Sequence, residues 1–144
     1  MRKESKRRPV RRLQARVLVV TGRVGLGGQV RVALNHGSFS TQLAFTSSEA
    51  AAILQTWRPH LAIVEMELEA GRLMDELTKG AQVLGHVPVI ALTDRGDHAT
   101  TLEAFGRGVD DILVTPFDPA ELIVRSVAVI RRAYSTEVEL SPKI

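Results

Sequence analysis

Four short apolar runs, separated by segments with helical periodicity, limit the folds that this chain can adopt. Each run ends in a threonine or a glutamate, followed in two cases by glycine or proline. The runs are LVVTG at 18–22, LAIVE at 61–65, VIALT at 89–93 and ILVTP at 112–116. Strands covered on both faces by helices are apolar on successive residues in this way. Alternation of such runs with helical segments predicts an α/β domain built around a parallel sheet.

The spacing predicts five strands and five helices in a doubly wound sheet with the flavodoxin-like strand order 2-1-3-4-5. We expect Ser47 or Ser48 to cap the helix at about 48–57, and Asp118 with Pro119 to start the helix at about 118–134. Val30, Ala33 and Leu34 of the helix at about 25–36 should face the core. The predicted elements are β1 at about 16–20, α1 25–36, β2 40–45, α2 48–57, β3 61–65, α3 71–84, β4 87–92, α4 97–106, β5 111–114 and α5 118–134.

Charge is concentrated at the start of the chain. Residues 2–16 contain eight Lys or Arg against one Glu, whereas the rest of the chain has more acidic than basic residues. We predict a basic disordered arm over 1–14, an ordered domain over 15–135 and a linker over 136–144. Such an arm can bind nucleic acid or an acidic partner weakly, but it contains no aromatic residue for stacking on bases.

Several functional classes are disfavoured by composition. The chain has no cysteine, so it has no disulfide and no thiolate metal site. Its four histidines fall in unrelated segments, which gives no pattern of metal ligands. No apolar run is long enough for a membrane span, which needs about 18 residues, and we expect a cytoplasmic protein with no membrane contact.

Three motifs resemble the receiver domain of bacterial response regulators, the CheY-like family. They are TDRG at 93–96, GVDDILVTPF at 108–117, and PAEL at 119–122 followed by Arg125 and Arg131-Arg132. The resemblance covers about residues 15–134 and is strongest to the OmpR-type subgroup, in which the receiver precedes a winged-helix DNA-binding domain. It implies a role in two-component signal transduction and transcription regulation, with a possible effector domain beyond the linker.

Most residues that carry receiver chemistry are changed in this chain. In the family, an acidic pair after β1 holds Mg²⁺, and the matching residues here are Thr21 and Gly22. The phosphorylated Asp at the end of β3 corresponds to Glu65, and the Lys after β5 corresponds to Thr115. Thr93 alone keeps its expected identity. Phosphoryl transfer depends on in-line positioning and neutralisation of charge by a metal and cations. The resemblance therefore predicts a degenerate pocket, with no catalysis, no bound metal and no cofactor.

Two interpretations of Glu65 remain open. Its carboxylate can imitate a phosphorylated aspartate by accepting hydrogen bonds from Thr93 and Thr115, or it can point into solvent. We favour solvent, because a buried carboxylate without a lysine or metal is costly. The aromatic switch position of the family matches Ile112, which we expect to stay packed in the core. A cis peptide bond is expected between Thr115 and Pro116.

The face formed by α4, β5 and α5 is the expected surface for a protein partner or a homodimer. In the winged-helix subgroup this face carries ion pairs between subunits, and Asp111 with Arg125 matches one of them. Glu121 matches the acidic member of another pair, whose basic position is the uncharged Thr101. Exposed ion pairs of this kind contribute only about 0.2–1 kcal/mol each.

Two other functions compete with this interpretation. The first is a working receiver that uses Glu65 as its phosphoacceptor. The second is a small nucleotide-binding Rossmann-like domain, because the glycines at 22–28 follow a strand and open a helix. Val30, however, occupies the third glycine position of the dinucleotide motif. No acidic ribose ligand follows about 20 residues later.

Overall fold

A five-stranded parallel sheet with helices on both faces forms the domain. The structure, a computed structural model, describes residues 13–66, 87–94, 98–134 and 138–139. The strand order is 2-1-3-4-5, as the sequence predicts. The elements are β1 Arg16–Val20, α1 Val24–His36, β2 Ser40–Ala44, α2 Ser47–Trp57, β3 Leu61–Glu65, β4 Val89–Asp94, α4 His98–Gly106, β5 Asp111–Thr115 and α5 Pro119–Ala133. The predicted helix α3 lies outside the described residues.

Two apolar clusters cover the two faces of the sheet. Successive residues of a strand point to opposite faces, so Val17 and Val19 of β1 join one cluster, whereas Leu18 and Val20 join the other. The larger cluster contains the inward residues of α1 and α5, including the predicted Val30, Ala33 and Leu34. Residues of β1 and β3 are buried on both faces, which explains their unbroken apolar sequence. Among the described residues, no helix is long and apolar enough to cross a membrane.

The helix starts follow the capping rules, with one correction. Asp118 caps α5 as predicted, accepting a hydrogen bond from the Ala120 amide at 2.9 Å. The cap of α2 is Thr46, and the prediction of Ser47 or Ser48 is wrong. Thr46 Oγ1 accepts from the Glu49 amide, and the Glu49 carboxylate accepts from the Phe45 amide. This arrangement resembles a capping box, except that Glu49 accepts from the residue before the cap, and it satisfies two backbone donors at the start of the helix.

Helix α1 begins directly after the loop that follows β1. The glycines at 25, 27 and 28 lie inside this helix and do not form a phosphate-binding loop. Their position agrees with the predicted span of α1 and does not favour the competing interpretation as a nucleotide-binding domain. A Cβ atom added at Gly27 would lie 3.2 Å from Thr21 Cγ2, so the missing side chain lets α1 approach the end of β1 closely.

Strand β4 starts two residues later than predicted. Pro88 has no backbone N–H to donate to a sheet ladder, and the ladder begins at Val89. The Val89 amide donates instead to the Asp110 carboxylate at 2.8 Å. The predicted cis peptide bond between Thr115 and Pro116 is present.

The two ends of the described chain meet beside the sheet. Leu13–Gln14 pairs in parallel with Val138–Glu139. The last two residues of the predicted arm and two residues of the predicted linker therefore form strand. The remainder of the arm and of the linker lies outside the described residues.

Candidate functional site

The carboxyl ends of three neighbouring strands and the loop after β1 form one polar site. In a parallel sheet these ends lie at the same edge, and β1, β3, β4 and β5 are consecutive in the strand order. The structure brings together the five residues expected in the degenerate pocket: Thr21, Gly22, Glu65, Thr93 and Thr115. All of them except Gly22 are buried.

Glu65 is buried and both of its carboxylate oxygens accept hydrogen bonds. Its exposed fraction is 6%. Oε1 accepts from the Thr21 hydroxyl at 2.5 Å and from the Gly22 amide at 3.2 Å, and Oε2 accepts from Arg23 Nε at 2.7 Å. The favoured prediction that Glu65 points into solvent is wrong. Thr93 and Thr115, the donors expected in the alternative, do not bind it either.

Arg23 supplies the cation that the predicted pocket lacked. It precedes α1 and forms an ion pair with Glu65, while its own side chain remains 51% exposed. Partial burial opposes its charge, but the neighbouring carboxylates of Glu65 and Asp94 outweigh this effect and raise the pKa of the guanidinium above its ordinary value. A charge-assisted hydrogen bond of this kind stabilises a buried carboxylate that would otherwise be costly.

Asp94 extends the network to the strand at the edge of the sheet. Its Oδ1 accepts from the Thr115 hydroxyl at 2.8 Å and lies 3.5 Å from Arg23 Nη2. Arg23 therefore connects the ends of β3 and β4, and Thr115 connects β4 with β5. Thr93 is 1% exposed, and its hydroxyl has no hydrogen-bond partner among the described residues.

The donor set of this site does not fit the Mg²⁺ that the receiver fold implies. Mg²⁺ prefers several oxygen ligands around one octahedral position. The positions of the acidic pair hold a threonine and a glycine, and Glu65 already accepts hydrogen bonds at both oxygens. Asp94 is bound to Thr115 and Arg23. Within the described ranges, no group of three or more acidic, histidine or cysteine residues is arranged to hold a metal.

Ile112 lies at the margin of the core. It is half-buried and packs against the cluster formed with Leu18, Val64 and Ala91. The prediction of an apolar packing role agrees with this position, although the side chain is not enclosed.

The predicted partner face contains its own ion-pair network. Arg125 Nη1 donates to both carboxylate oxygens of Asp111, at 3.0 and 2.9 Å, and Arg125 Nε donates to Glu121 at 3.0 Å. These hydrogen bonds, first to Asp111 and then to Glu121, raise the pKa of Arg125 above its ordinary value. The three residues were expected to pair between subunits, whereas here they pair within one chain.

Sequence reasoning missed Arg23 and Asp94. Both directly follow residues that were placed in the pocket, namely Gly22 and Thr93. A search for any cation near the carboxyl ends of the strands would have found Arg23. It would also have found Arg95, which follows Asp94 and lies outside the described residues. The sequence alone does not distinguish these two arginines as the partner of Glu65.

Comparisons with known proteins support the same fold. No protein-family model matches the chain. The chain is 31% identical over 107 residues to the transcriptional regulatory protein SrrA of Staphylococcus aureus, a match that covers 74% of this chain. The match covers 40% of SrrA, so the chain spans less than half the length of this relative.

Two solved structures resemble the domain closely. The receiver domain of NtrX from Brucella abortus has a TM-score of 0.72 and 25% identity, covering 80% of this chain and 98% of that one. The chemotaxis response regulator CheY4 of Vibrio cholerae has a TM-score of 0.70 and 21% identity, covering 81% of this chain and 98% of that one. The second similarity concerns the fold alone.

Proposed function

We propose that the described residues form a CheY-like receiver domain of a response regulator and that this receiver works without phosphorylation. It is a degenerate receiver, or pseudoreceiver, of the winged-helix (OmpR-type) subgroup. Its output is protein contact in two-component-type signalling and transcription control, without catalysis. The similarity to SrrA, a transcriptional regulatory protein, supports this output.

The proposal depends mainly on one observation: the carboxylate at the phosphoacceptor position already accepts hydrogen bonds from other residues of the domain. The two oxygens of Glu65 accept three hydrogen bonds, one of them from Arg23 at 2.7 Å. A nucleophile must present a free oxygen in line with the phosphoryl donor. Glu65 would have to break its ion pair before it could attack, and breaking this half-exposed pair costs about 1–3 kcal/mol, because Glu65 itself is buried.

The positive charge of the site also lies at a different position from the lysine that the family resemblance leads us to expect. The family resemblance expects a lysine after β5, where this chain has Thr115 bound to Asp94. The positive charge comes instead from Arg23, on the opposite side of Glu65 in the strand order. A guanidinium that neutralises the protein's own carboxylate leaves less charge to stabilise an incoming phosphoryl group.

An intact-mass measurement tests this proposal. The protein is incubated with Mg²⁺ and a small acyl phosphate, and we expect no phosphoryl adduct. The positive control is a variant with the family residues restored: Thr21→Asp, Gly22→Asp, Arg23→Ala, Glu65→Asp and Thr115→Lys. An adduct on Glu65 of the unchanged protein would contradict the proposal and favour a working receiver.

The face of α4, β5 and α5 is the surface we assign to the protein partner, with a second copy of this chain as the first candidate. Three large apolar side chains are exposed on it, one from each element: Leu102 at 73%, Val114 at 41% and Val124 at 60%. Large exposed apolar side chains on one face favour an interaction surface. The Arg125 network lies beside them and would form a polar rim.

Sedimentation velocity tests this surface with two matched variants. Val124→Asp places a charge on the proposed face and should abolish self-association. Val32→Asp places the same charge on α1, where the valine is 59% exposed, and should have no effect. A concentration-independent monomer for the unchanged protein, or equal effects of both variants, would exclude the homodimer.

A further inference from the structure

A cleft of about 660 Å³ lies between α1 and the segment that joins β5 to α5. Clefts of about 300–1,000 Å³ with mostly apolar walls are typical of small-molecule sites. The residues of the degenerate pocket do not line this cleft. Its apolar lining residues are Val32 and Ala33 of α1 and, on the opposite wall, Pro116, Phe117 and Pro119.

Both walls of the cleft belong to ordered parts of the domain. Ala33 is buried, whereas Val32 is 59% exposed although its side chain is large and apolar. Phe117 is half-buried and packs against the larger apolar cluster of the core. The rings of Pro116 and Pro119 restrict their φ angles, so this wall has little conformational freedom. A preformed apolar surface binds a ligand at a lower entropic cost than a surface that must first become ordered.

Gly28 also lines the cleft, and packing within the domain does not require a glycine there. Glycine inside a helix is less stable than alanine. Gly27 has a structural reason, because an added Cβ atom would lie 3.2 Å from Thr21. An added Cβ atom at Gly28 meets no atom within 4 Å, and a longer side chain would extend into the cleft. The glycine at 28 is therefore explained by the space that it leaves in the cleft.

Two polar side chains of α1, Gln29 and His36, determine where a ligand can form hydrogen bonds. Both line the cleft and both are exposed. They are seven residues apart, which places them about 10.5 Å apart along the helix axis. The glutamine amide and a neutral imidazole can each donate and accept a hydrogen bond. A ligand that lies along α1 can therefore form a hydrogen bond at each end and keep an apolar body between them.

The charges around the cleft favour a neutral ligand. None of the described residues that line it is Lys, Arg, Asp or Glu. Asp118 lies between Phe117 and Pro119, and its carboxylate accepts from the Ala120 amide at 2.9 Å. An anion would lie near this carboxylate without a cation to balance it. A cation would lose hydration against the apolar walls, which is costly.

We propose that this cleft binds a neutral, largely aromatic small molecule with a hydrogen-bonding group at each end. The apolar walls bury its rings, and Phe117 provides an aromatic surface against which they pack. Gln29 and His36 bind its two ends. The cleft is separate from the phosphoacceptor position, so this inference does not depend on whether Glu65 can be phosphorylated.

Titration of the full chain with p,p′-biphenol, followed by backbone amide resonances, tests the proposal. This rigid, neutral probe has two aromatic rings and a hydroxyl group at each end. We expect saturable shifts at Gly28, Val32 and Phe117, with half-saturation below about 1 mM. The analogue with a carboxylate in place of each hydroxyl has two negative charges and should bind at least about tenfold more weakly.

Two glycine variants of α1 determine whether the probe binds in the cleft. Gly28→Leu places a side chain in the cleft and should weaken binding at least about tenfold. Gly25→Leu adds the same side chain to the same helix, at a position that does not line the cleft and where an added Cβ atom also meets no atom within 4 Å. It should change the affinity less than about twofold. Leucine favours helix over glycine, and circular dichroism checks that both variants fold.

The proposal is supported if the neutral probe binds, Gly28→Leu removes this binding and Gly25→Leu retains it. It is wrong if the probe causes no saturable shift up to its solubility limit, or if the shifts lie outside the cleft. It is also wrong if the two glycine variants bind alike, or if the dicarboxylate binds as well as the neutral probe. If Gly28→Leu does not fold, the smaller Gly28→Ala replaces it, with an expected loss of affinity of about threefold.

Discussion

The two ends of β3 bury polar side chains in opposite ways. His60 immediately precedes the strand and is 9% exposed, and Glu65 ends it at 6% exposed. His60 is held by one backbone amide, from Arg16, and by the edge-on ring of Tyr134. Glu65 requires a hydroxyl, a backbone amide and the guanidinium of Arg23.

This difference follows from charge. Burial, and secondarily the nearby Arg16, lower the pKa of His60, so the ring stays neutral and its Nδ1 accepts a single hydrogen bond from a backbone amide. A carboxylate cannot be buried so simply, because an ionised group loses far more hydration than a neutral one. Burial of Glu65 at this position therefore requires Arg23. We propose that the same ion pair keeps Glu65 out of phosphoryl chemistry.

Removing the cation should have the largest effect on stability. We expect Arg23→Ala to lower the free energy of unfolding by about 1–3 kcal/mol, because Glu65 would be left buried and unpaired. The value is below that for a fully buried pair, since the Arg23 side chain is half exposed. Urea unfolding measures it.

A matched control and a double variant sharpen this test. Arg31→Ala removes an exposed arginine from the same helix and should change stability by less than about 0.5 kcal/mol. Combining Arg23→Ala with Glu65→Met should recover part of the loss, because no charge is then left buried. Equal stabilities of the Arg23 and Arg31 variants would show that the ion pair has no structural role.

A fall in pH should lower the stability of the protein through His60, which precedes β3. The folded-state pKa of His60 is below its ordinary value, so the unfolded chain takes up a proton first as the pH falls. The stability contributed by neutral His60 is present above about pH 6.5 and is lost below it, by up to about 1.4 kcal/mol per pH unit.

Unfolding at several pH values between 7 and 5 checks this prediction by comparing variants. His60→Gln should show a shallower pH dependence than the unchanged protein, and the exposed His98→Gln should show the same dependence as the unchanged protein. If the His60 and His98 variants lost stability in parallel with the unchanged protein, His60 would not be the titrating group.

The exposed network on α5 gives the smallest expected effect. Arg125 pairs with Asp111 and Glu121, but its side chain is 38% exposed and solvent screens both pairs. Arg125→Ala should lower the free energy of unfolding by about 0.5–1 kcal/mol, and less at high salt. Urea unfolding at two ionic strengths measures this. A loss equal to that of Arg23→Ala would show that burial does not explain the difference between the two networks.

The fold was predictable because the apolar pattern indicates a parallel sheet with helices on both faces. The unbroken apolar runs of β1 and β3 favour strands that are buried on both sides, and the observed strand order is the usual doubly wound arrangement for five such units. Asp118 followed by Pro119 was a reliable signal for the start of α5, because a cap and a proline satisfy the same backbone geometry.

The site was predicted only in part, because pairing of charges depends on three-dimensional distance. The predicted pocket positions lie at the ends of neighbouring strands, but the orientation of Glu65 depended on a partner 42 residues away in sequence. Asp111, Arg125 and Glu121 show the same limitation: their types suggested ion pairs, but not whether those pairs form within one chain or between two.

A titration with Mg²⁺ and beryllofluoride, followed by the backbone amide resonances of Gly22, Arg23 and Glu65, tests the central claim most directly. Beryllofluoride with Mg²⁺ imitates a phosphoryl group on the acceptor carboxylate, so it can bind only if that carboxylate is free. The ion pair between Arg23 and Glu65 predicts no saturable shift of these resonances. Saturable shifts at all three positions would show that the site still accepts a metal and a phosphoryl mimic, which would contradict the account.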